Sequence, residues 1–129
     1  MTSSELARGP YSTYVTTLVN AAVVAAEEKI ALDTVVLDLR ELIDAFDALV
    51  VTSGRNDRQV RAIAEEVERM VELALGVKPI HVEGLTQGEW IALDYGDVIV
   101  HVFDESTREY YDLEHLWNSA PALRPLPTY

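Results

Sequence analysis

Apolar residues recur every three or four positions in two long stretches of the chain. In the first stretch they are Tyr14, Val15, Leu18, Val19, Ala22, Val23 and Ala26, which is the spacing of one buried helical face. A first helix is therefore predicted over residues 14–26, beginning near Ser12 or Thr13.

The second stretch predicts a longer helix with clear end signals. Asn56 and Gln59 form a capping-box pattern at its start, and Gly76 can adopt the left-handed conformation that ends a helix. The expected inner face comprises Val60, Ile63, Ala64, Val67, Met70, Val71 and Ala74. On the outer face, Arg61–Glu65 and Glu65–Arg69 have the four-residue spacing of solvated ion pairs.

Short apolar or β-branched segments predict about five strands, at 34–39, 47–52, 78–83, 90–93 and 98–103. Gly96 supplies the turn of a hairpin between the last two strands. A second capping pattern opens at Ser106 and predicts a short helix through Trp117. Strands separated by a long helix and then joined by a hairpin predict an α/β fold with a mixed sheet and flanking helices.

Length and composition favour one domain. The 129 residues are 49% hydrophobic, enough for one continuous core. We assign residues 1–12 to an N-terminal extension, 13–118 to the domain and 119–129 to a proline-bearing tail. There is no cysteine, so neither a disulfide framework nor a thiolate metal site is expected. No apolar run suggests a signal peptide or a membrane span, and a soluble cytoplasmic protein is expected.

Charge bears on the class of partner. The chain has 10 basic and 22 acidic residues, a formal charge of −12. Such a surface repels the phosphates of nucleic acids, so nucleic acid is not expected as the main contact. A basic protein partner is one interpretation, and acidity that merely maintains solubility is the other.

One turn resembles part of an enzyme site. Ser53-Gly54 lies between a predicted buried strand and a helix N-terminus, where anions are favoured. It has neither the Lys-Ser/Thr pair of a phosphate-binding loop nor a three-glycine fingerprint. Nucleotidyltransferase chemistry needs closely spaced carboxylates, and only Asp57 follows the turn. A nucleotide- or metal-dependent transferase that uses Ser53-Gly54 with Asp94, Asp97 or Asp104 stays as the alternative hypothesis.

Histidine offers little further evidence for catalysis. His101 lies on the same side of its strand as Ile99 and Phe103, while His81 and His115 belong to separate elements. A hydrogen-bonded structural histidine is favoured over a metal ligand or general base. No cofactor and no metal ion are expected.

Aromatic residues concentrate in the hairpin and the final helix, at Trp90, Tyr95, Tyr110, Tyr111 and Trp117. Tyr110 and Tyr111 cannot both face inward, because successive helical residues lie about 100° apart. Exposed tryptophan and tyrosine are common anchors of protein interfaces. Trp90 and Tyr111 are equally compatible with core and interface, whereas Phe103 is expected in the core.

Residues 88–117 carry a family resemblance in the string GEWIALDYGDVIVHVFDESTREYYDLEHLW. It resembles the ribosomal silencing factor family, also called Iojap-related, and the resemblance extends over residues 14–117. The resemblance implies a fold related to nucleotidyltransferases without their catalytic carboxylates, and no enzymatic activity. It also implies a homodimer in isolation that binds the large ribosomal subunit through ribosomal protein number fourteen, blocks joining of the small subunit and represses translation. Ala48-Leu49 departs from the family, where two aromatic residues usually follow the position of Asp47.

The resemblance places a partner-binding surface on matching positions of this sequence: Trp90, Asp94, Tyr95, Asp97, His101, Tyr110, Tyr111 and Glu114. Trp90 and Tyr111 are expected as apolar anchors. The carboxylates of Asp94, Asp97 and Glu114 are expected to accept hydrogen bonds from basic side chains, and His101 is expected to act as an orienting group within the sheet.

Overall fold

The computed structural model describes residues 11–40 and 44–111, which form one α/β domain. The helices are α1 (Thr13–Glu28), α2 (Asp57–Leu75) and α3 (Glu105–Tyr111). The strands are β1 (Leu32–Asp38), β2 (Ala48–Gly54), β3 (His81–Glu83), β4 (Trp90–Asp94) and β5 (Val98–Asp104). They form a sheet ordered β1-β2-β5-β4-β3, parallel between β2 and β5 and otherwise antiparallel. The predicted α/β class with a mixed five-stranded sheet is confirmed.

The predicted helix ends are largely confirmed by the capping bonds. The Ser12 hydroxyl accepts from the Val15 amide at 3.2 Å, and Asn56 Oδ1 accepts from the Gln59 amide at 2.9 Å. Gly76 ends α2 with a φ of 69°. The Gln59 side chain reaches one residue further back than a capping box requires and accepts from the Arg55 amide at 2.7 Å.

Helices α1 and α2 cover one face of the sheet. Side chains of Leu18, Ile63, Val50, Leu93 and Val100 lie in the resulting core and are essentially inaccessible to solvent. Full burial of each such side chain contributes about 1.5–3 kcal/mol. Most of the predicted inner face of α2 is buried there, but Ala74 is exposed, so that part of the prediction was wrong.

The opposite side of the sheet carries a second cluster of apolar side chains, and we call it the distal face. Its buried members are Leu37, Leu39, Leu49, Val51 and Phe103, with Val35, Phe46, Trp90 and Ile99 packed against them and partly exposed. Successive side chains of a strand alternate between faces, and this separates the cluster from the core under the helices. The predicted core position of Phe103 is confirmed.

Two predicted element boundaries were wrong. The strand predicted over 78–83 comprises only His81–Glu83, because Pro79 has no amide hydrogen to donate to a ladder. Helix α3 is capped by Asp104 rather than Ser106: Asp104 Oδ1 accepts from the Ser106 amide at 2.9 Å. The predicted end of this helix at Trp117 lies outside the described residues.

The two predicted ion pairs of Glu65 were also wrong. Arg69 instead binds Glu66 at 2.6 Å, and Arg61 binds Asp57. The Arg69 bonds lower the pKa of Glu66 to about 2. Among the described helices, none combines the length and the apolar character needed to cross a membrane.

Candidate partner-binding face

Strand register gathers a small set of side chains on the distal face around Trp90. In the β4–β5 ladder, Trp90 lies opposite Phe103, Ala92 opposite His101, and Asp94 opposite Ile99. All six residues have odd positions in β5 or even positions in β4, so they share one side of the sheet. Trp90, Ala92, Asp94, Ile99 and His101 are each partly exposed. Together they form a surface patch that we call the Trp90 surface.

Among the described residues, the aromatic side chains of His101 and Phe103 hold Trp90 in place. Its indole Nε1–H donates to His101 Nδ1 at 2.8 Å, and its ring stacks on Phe103 with a centroid distance of 4.8 Å. Because an indole nitrogen only donates, His101 Nδ1 must be the acceptor and its ring hydrogen must lie on Nε2. The tryptophan is thus fixed in orientation, and the residue stays partly exposed.

His101 Nδ1 can accept this hydrogen bond because the imidazole ring stays neutral. Burial disfavours the imidazolium and lowers the pKa of His101 from 6.5 to about 4. At neutral pH the Trp90–His101 hydrogen bond is therefore intact. This is the structural, hydrogen-bonded histidine that the sequence favoured.

Carboxylates lie within the Trp90 surface, at Asp94, and along its margin. Asp94 Oδ1 accepts from the Gly96 amide at 2.8 Å and thereby stabilises the hairpin turn, and the next strand places Glu83 beside Ala92. Glu83 is exposed, and its Oε1 lies 2.9 Å from Nε2 of His81. Asp97 is exposed at the turn itself. An aromatic centre with an acidic margin is suited to a basic protein.

Other residues in the expected set occupy different places. Tyr95 lies on the helix-covered side and is only 5% exposed, and its buried hydroxyl has no hydrogen-bond partner among residues 11–40 and 44–111. Burial, with Glu68 nearby, raises the pKa of Tyr95. Tyr110 is 80% exposed on α3. The side chain of Tyr111 and all of Glu114 lie outside the described residues.

The predicted Ser53-Gly54 turn is occupied by the last two residues of β2, and the protein's own groups fill the space around it. Arg108 Nη1 donates to the Ser53 hydroxyl at 2.8 Å. A Cβ at Gly54 would lie 3.0 Å from the Val60 amide nitrogen, so glycine is explained by close packing on α2. Asn56 and Gln59 already accept from the amides at this helix start. The turn therefore serves as a strand-to-helix connection and is poorly suited to a phosphate.

Asp94, Asp97 and Asp104, the carboxylates of the transferase hypothesis, do not come together at one site. Asp97 precedes β5 and Asp104 ends it, and a seven-residue strand spans about 20 Å. Asp104 caps α3, while Asp94 bonds to the turn. Within residues 11–40 and 44–111, no three His, Asp or Glu side chains are grouped to hold a metal ion.

Sequence reasoning overlooked several members of the face. Ala92, Ile99 and Glu83 were not proposed, although the alternation of β4 and β5 places Ala92 and Ile99 with Trp90. The same alternation separates Tyr95 from Trp90, since the two residues are five positions apart and an odd offset places side chains on opposite faces. The Trp90–His101 bond could not be predicted, because it depends on the register between two strands.

Several known proteins are similar to this chain in sequence or in structure. Residues 13–128 match the family model described as ribosomal silencing factor during starvation. The chain is 36% identical over 104 residues to ribosomal silencing factor RsfS of Bacillus subtilis, covering 81% of this chain and 87% of that protein. A crystal structure of a Chromobacterium violaceum protein has a TM-score of 0.75 and 38% identity, covering 78% of this chain and 83% of that one. A mouse protein named mitochondrial assembly of ribosomal large subunit protein 1 is 32% identical over 73 residues, which are 55% of this chain and 32% of the mouse protein.

Proposed function

Because this chain belongs to the ribosomal silencing factor family, whose members are regulatory proteins and not enzymes, we propose that its Trp90 surface binds the large ribosomal subunit. The contact is made with ribosomal protein number fourteen, and the bound domain prevents the small subunit from joining. Translation is repressed by steric exclusion alone. No reaction is needed, so affinity and placement determine the effect.

The observation that carries this proposal is the state of Trp90. The indole is held by His101 and Phe103, yet the residue is only partly buried. A rigid, half-exposed tryptophan with an apolar surround loses little entropy when a partner covers it. Such residues are frequent binding hot spots.

Charge supports a basic protein as the direct contact. The chain carries a formal charge of −12. Asp94 is part of the Trp90 surface, and Glu83 lies at its margin. These carboxylates suit lysine and arginine side chains and disfavour bare ribosomal RNA. The name of the mouse relative refers to the large subunit, which favours that subunit over the small one. We place this activity in the cytoplasm.

The test of the proposal is sedimentation of purified large and small ribosomal subunits with and without the protein. We expect the protein to migrate with large subunits and the fraction of joined ribosomes to fall. Absence of the protein from the large-subunit fractions would refute the proposal. Co-migration without loss of joined ribosomes would refute steric exclusion while leaving binding intact.

A pair of variants tests the location of the contact. Trp90→Ala is expected to weaken binding to large subunits by about 2 kcal/mol, roughly 30-fold in Kd. Tyr95→Phe, on the opposite side of the sheet, is expected to leave Kd unchanged. Circular dichroism must show that both variants fold. Equal Kd values for Trp90→Ala and the unmodified protein would remove Trp90 from the interface.

The proposal includes a homodimer in the absence of ribosomes. Sedimentation equilibrium of the isolated protein measures its mass directly, and a chain mass of 14.4 kDa at all concentrations would contradict the dimer. The same measurement on Trp90→Ala tests whether the Trp90 surface takes part in self-association. A lower mass than that of the unmodified protein would show that it does.

A further inference from the structure

The loop between β3 and β4, residues 84–88, is tied to α2 by one side chain. Arg61 Nε donates to the carbonyl oxygen of Leu85 at 2.9 Å, and Nη2 donates to that of Thr86 at 2.7 Å. The remaining terminal nitrogen, Nη1, pairs with the Asp57 carboxylate one turn earlier in the helix. The guanidinium therefore uses all three of its nitrogens, two of them to fix consecutive carbonyl groups of the loop.

Two glycines let the loop lie this close to its neighbours. Gly88 has a φ of 68°, and a Cβ there would lie 2.9 Å from Asp57 Cβ and 3.0 Å from Arg61 Cζ. Gly84 has a φ of 89°, and a Cβ there would lie 1.9 Å from the carbonyl oxygen of Trp90. One glycine thus lies against Arg61 and the other against the Trp90 backbone. The Gly88 amide closes the loop by donating to the Gly84 carbonyl at 3.0 Å.

This arrangement connects α2 to the first residue of β4. Trp90 begins that strand, so its backbone position depends directly on the loop that precedes it. The side-chain bond to His101 fixes the orientation of the indole, and the Asp104 amide ties the start of β4 to β5 by donating to the Glu89 carbonyl at 2.8 Å. The loop at 84–88 lies against the Trp90 carbonyl and sets the path of the chain into this pair. Displacement of the loop would move Trp90 relative to its acceptor on β5.

We propose that Arg61 is a positioning residue for the Trp90 surface: it restrains residues 84–88 and thereby holds the indole where the partner must meet it. This inference rests on the proposed function. Arg61 itself lies on α2 and need not touch the partner. The role depends on the forked guanidinium, because the single ammonium of lysine cannot bond the two carbonyls with the same fixed geometry.

The ion pair with Asp57 does not explain the arrangement. The side chains of Arg61 and Asp57 are 34% and 59% exposed, and exposed pairs contribute little to stability. The carbonyl bonds join segments 24 and 25 residues apart along the chain. Restraint of the loop, rather than stabilisation of the helix, is therefore the main consequence of these contacts.

The experiment compares Arg61→Ala and Arg61→Lys with Arg58→Ala, which removes an exposed arginine from the same helix. Three quantities are measured in the full chain: Kd for purified large subunits, thermal unfolding, and the indole N–H signal of Trp90 in a proton–nitrogen spectrum. Trp90→Phe assigns that signal, because the chain has a second tryptophan.

We expect Arg61→Ala to raise Kd about tenfold, to shift the Trp90 indole signal and to speed exchange of its hydrogen with solvent. Arg61→Lys should change Kd, the indole signal and the exchange rate in the same direction but by less. This variant also keeps the test valid if Arg61→Ala does not fold. Arg58→Ala should match the unmodified protein in all three measurements.

Two results would overturn the inference. An unchanged Kd in both folded Arg61 variants would show that the restraint has no effect on binding. A raised Kd with an unchanged indole signal would show that Arg61 acts other than through Trp90. If the unmodified protein does not bind large subunits, the proposed function fails, and the indole signal alone still decides whether Arg61 restrains Trp90.

Discussion

At the scale of single residues, the hydrogen bond between Trp90 and His101 links a surface feature to a buried titratable group. The imidazole accepts from the indole only when it is neutral, and burial keeps its pKa at about 4. A group that would otherwise charge near pH 6.5 is thus kept as a fixed acceptor throughout the neutral range. Proton binding and the orientation of Trp90 are coupled.

The pKa of His101 predicts a pH dependence of stability. Between pH 6.5 and about 4 the unfolded chain binds a proton at this residue that the folded chain does not. The contribution of His101 to the free energy of unfolding should therefore fall by roughly 3 kcal/mol as the pH is lowered through this window, and this residue should cause no further loss below it. Urea unfolding at pH 7.5 and 4.5 measures the change.

The control for this prediction is the variant His101→Gln. It keeps an acceptor for the indole but cannot be protonated in this range, so its free energy of unfolding should fall less on acidification than that of the unmodified protein. Identical profiles for His101→Gln and the unmodified protein would contradict the assignment.

At the scale of elements, glycines of similar backbone conformation have different structural roles. Gly76 ends α2 with a φ of 69°, and no atom of the described part of the chain lies within 4 Å of a Cβ placed there. Gly84 has a φ of 89°, and the same added carbon would overlap the Trp90 carbonyl. The first glycine is required by conformation alone, the second by conformation and by contact.

This difference predicts unequal costs for two alanine substitutions. Gly76→Ala should lower the free energy of unfolding by about 1 kcal/mol, the cost of a left-handed alanine. Gly84→Ala should cost about 3 kcal/mol or more, because the backbone of the loop or of β4 must also move. Urea unfolding of both variants provides the comparison. An equal loss of unfolding free energy in the two variants would show that the loop accommodates the added carbon without displacing Trp90.

Local signals predicted the elements well wherever they act within one segment. The caps at Ser12 and Asn56 and the end of α2 at Gly76 depend on neighbouring residues, and the structure confirms them. The partners of Arg61 were wrongly predicted because spacing along a helix permits several pairs. The loop carbonyls that bind Arg61 lie 24 and 25 residues away and have no signature in the sequence.

At the scale of the whole molecule, the formal charge of −12 predicts salt-dependent association. With isolated ribosomal protein number fourteen as the partner, we expect the association rate to fall about tenfold or more between roughly 0.05 and 0.5 M salt, because ions screen long-range attraction. Stopped-flow fluorescence measures this rate. A rate independent of salt would contradict attraction by the acidic surface.

Two single-charge variants locate the attraction. Glu83→Gln removes a carboxylate at the margin of the Trp90 surface, and Glu27→Gln removes an exposed one from α1. The first should lower the association rate more than the second. Equal effects would indicate that total charge steers the encounter and that the distal face has no special part in it.

The sequence by itself determined the class of fold, most element ends, the acidic character and, through residues 88–117, the family. These depend on composition, on periodicity and on contacts within short segments. Tertiary structure alone decided which residues share a surface: it joined Trp90 to His101, assigned Tyr95 to the other side, and directed Arg61 to the loop at 84–88. Strand register and helix packing fix such relations, because they bring together residues that are distant along the chain.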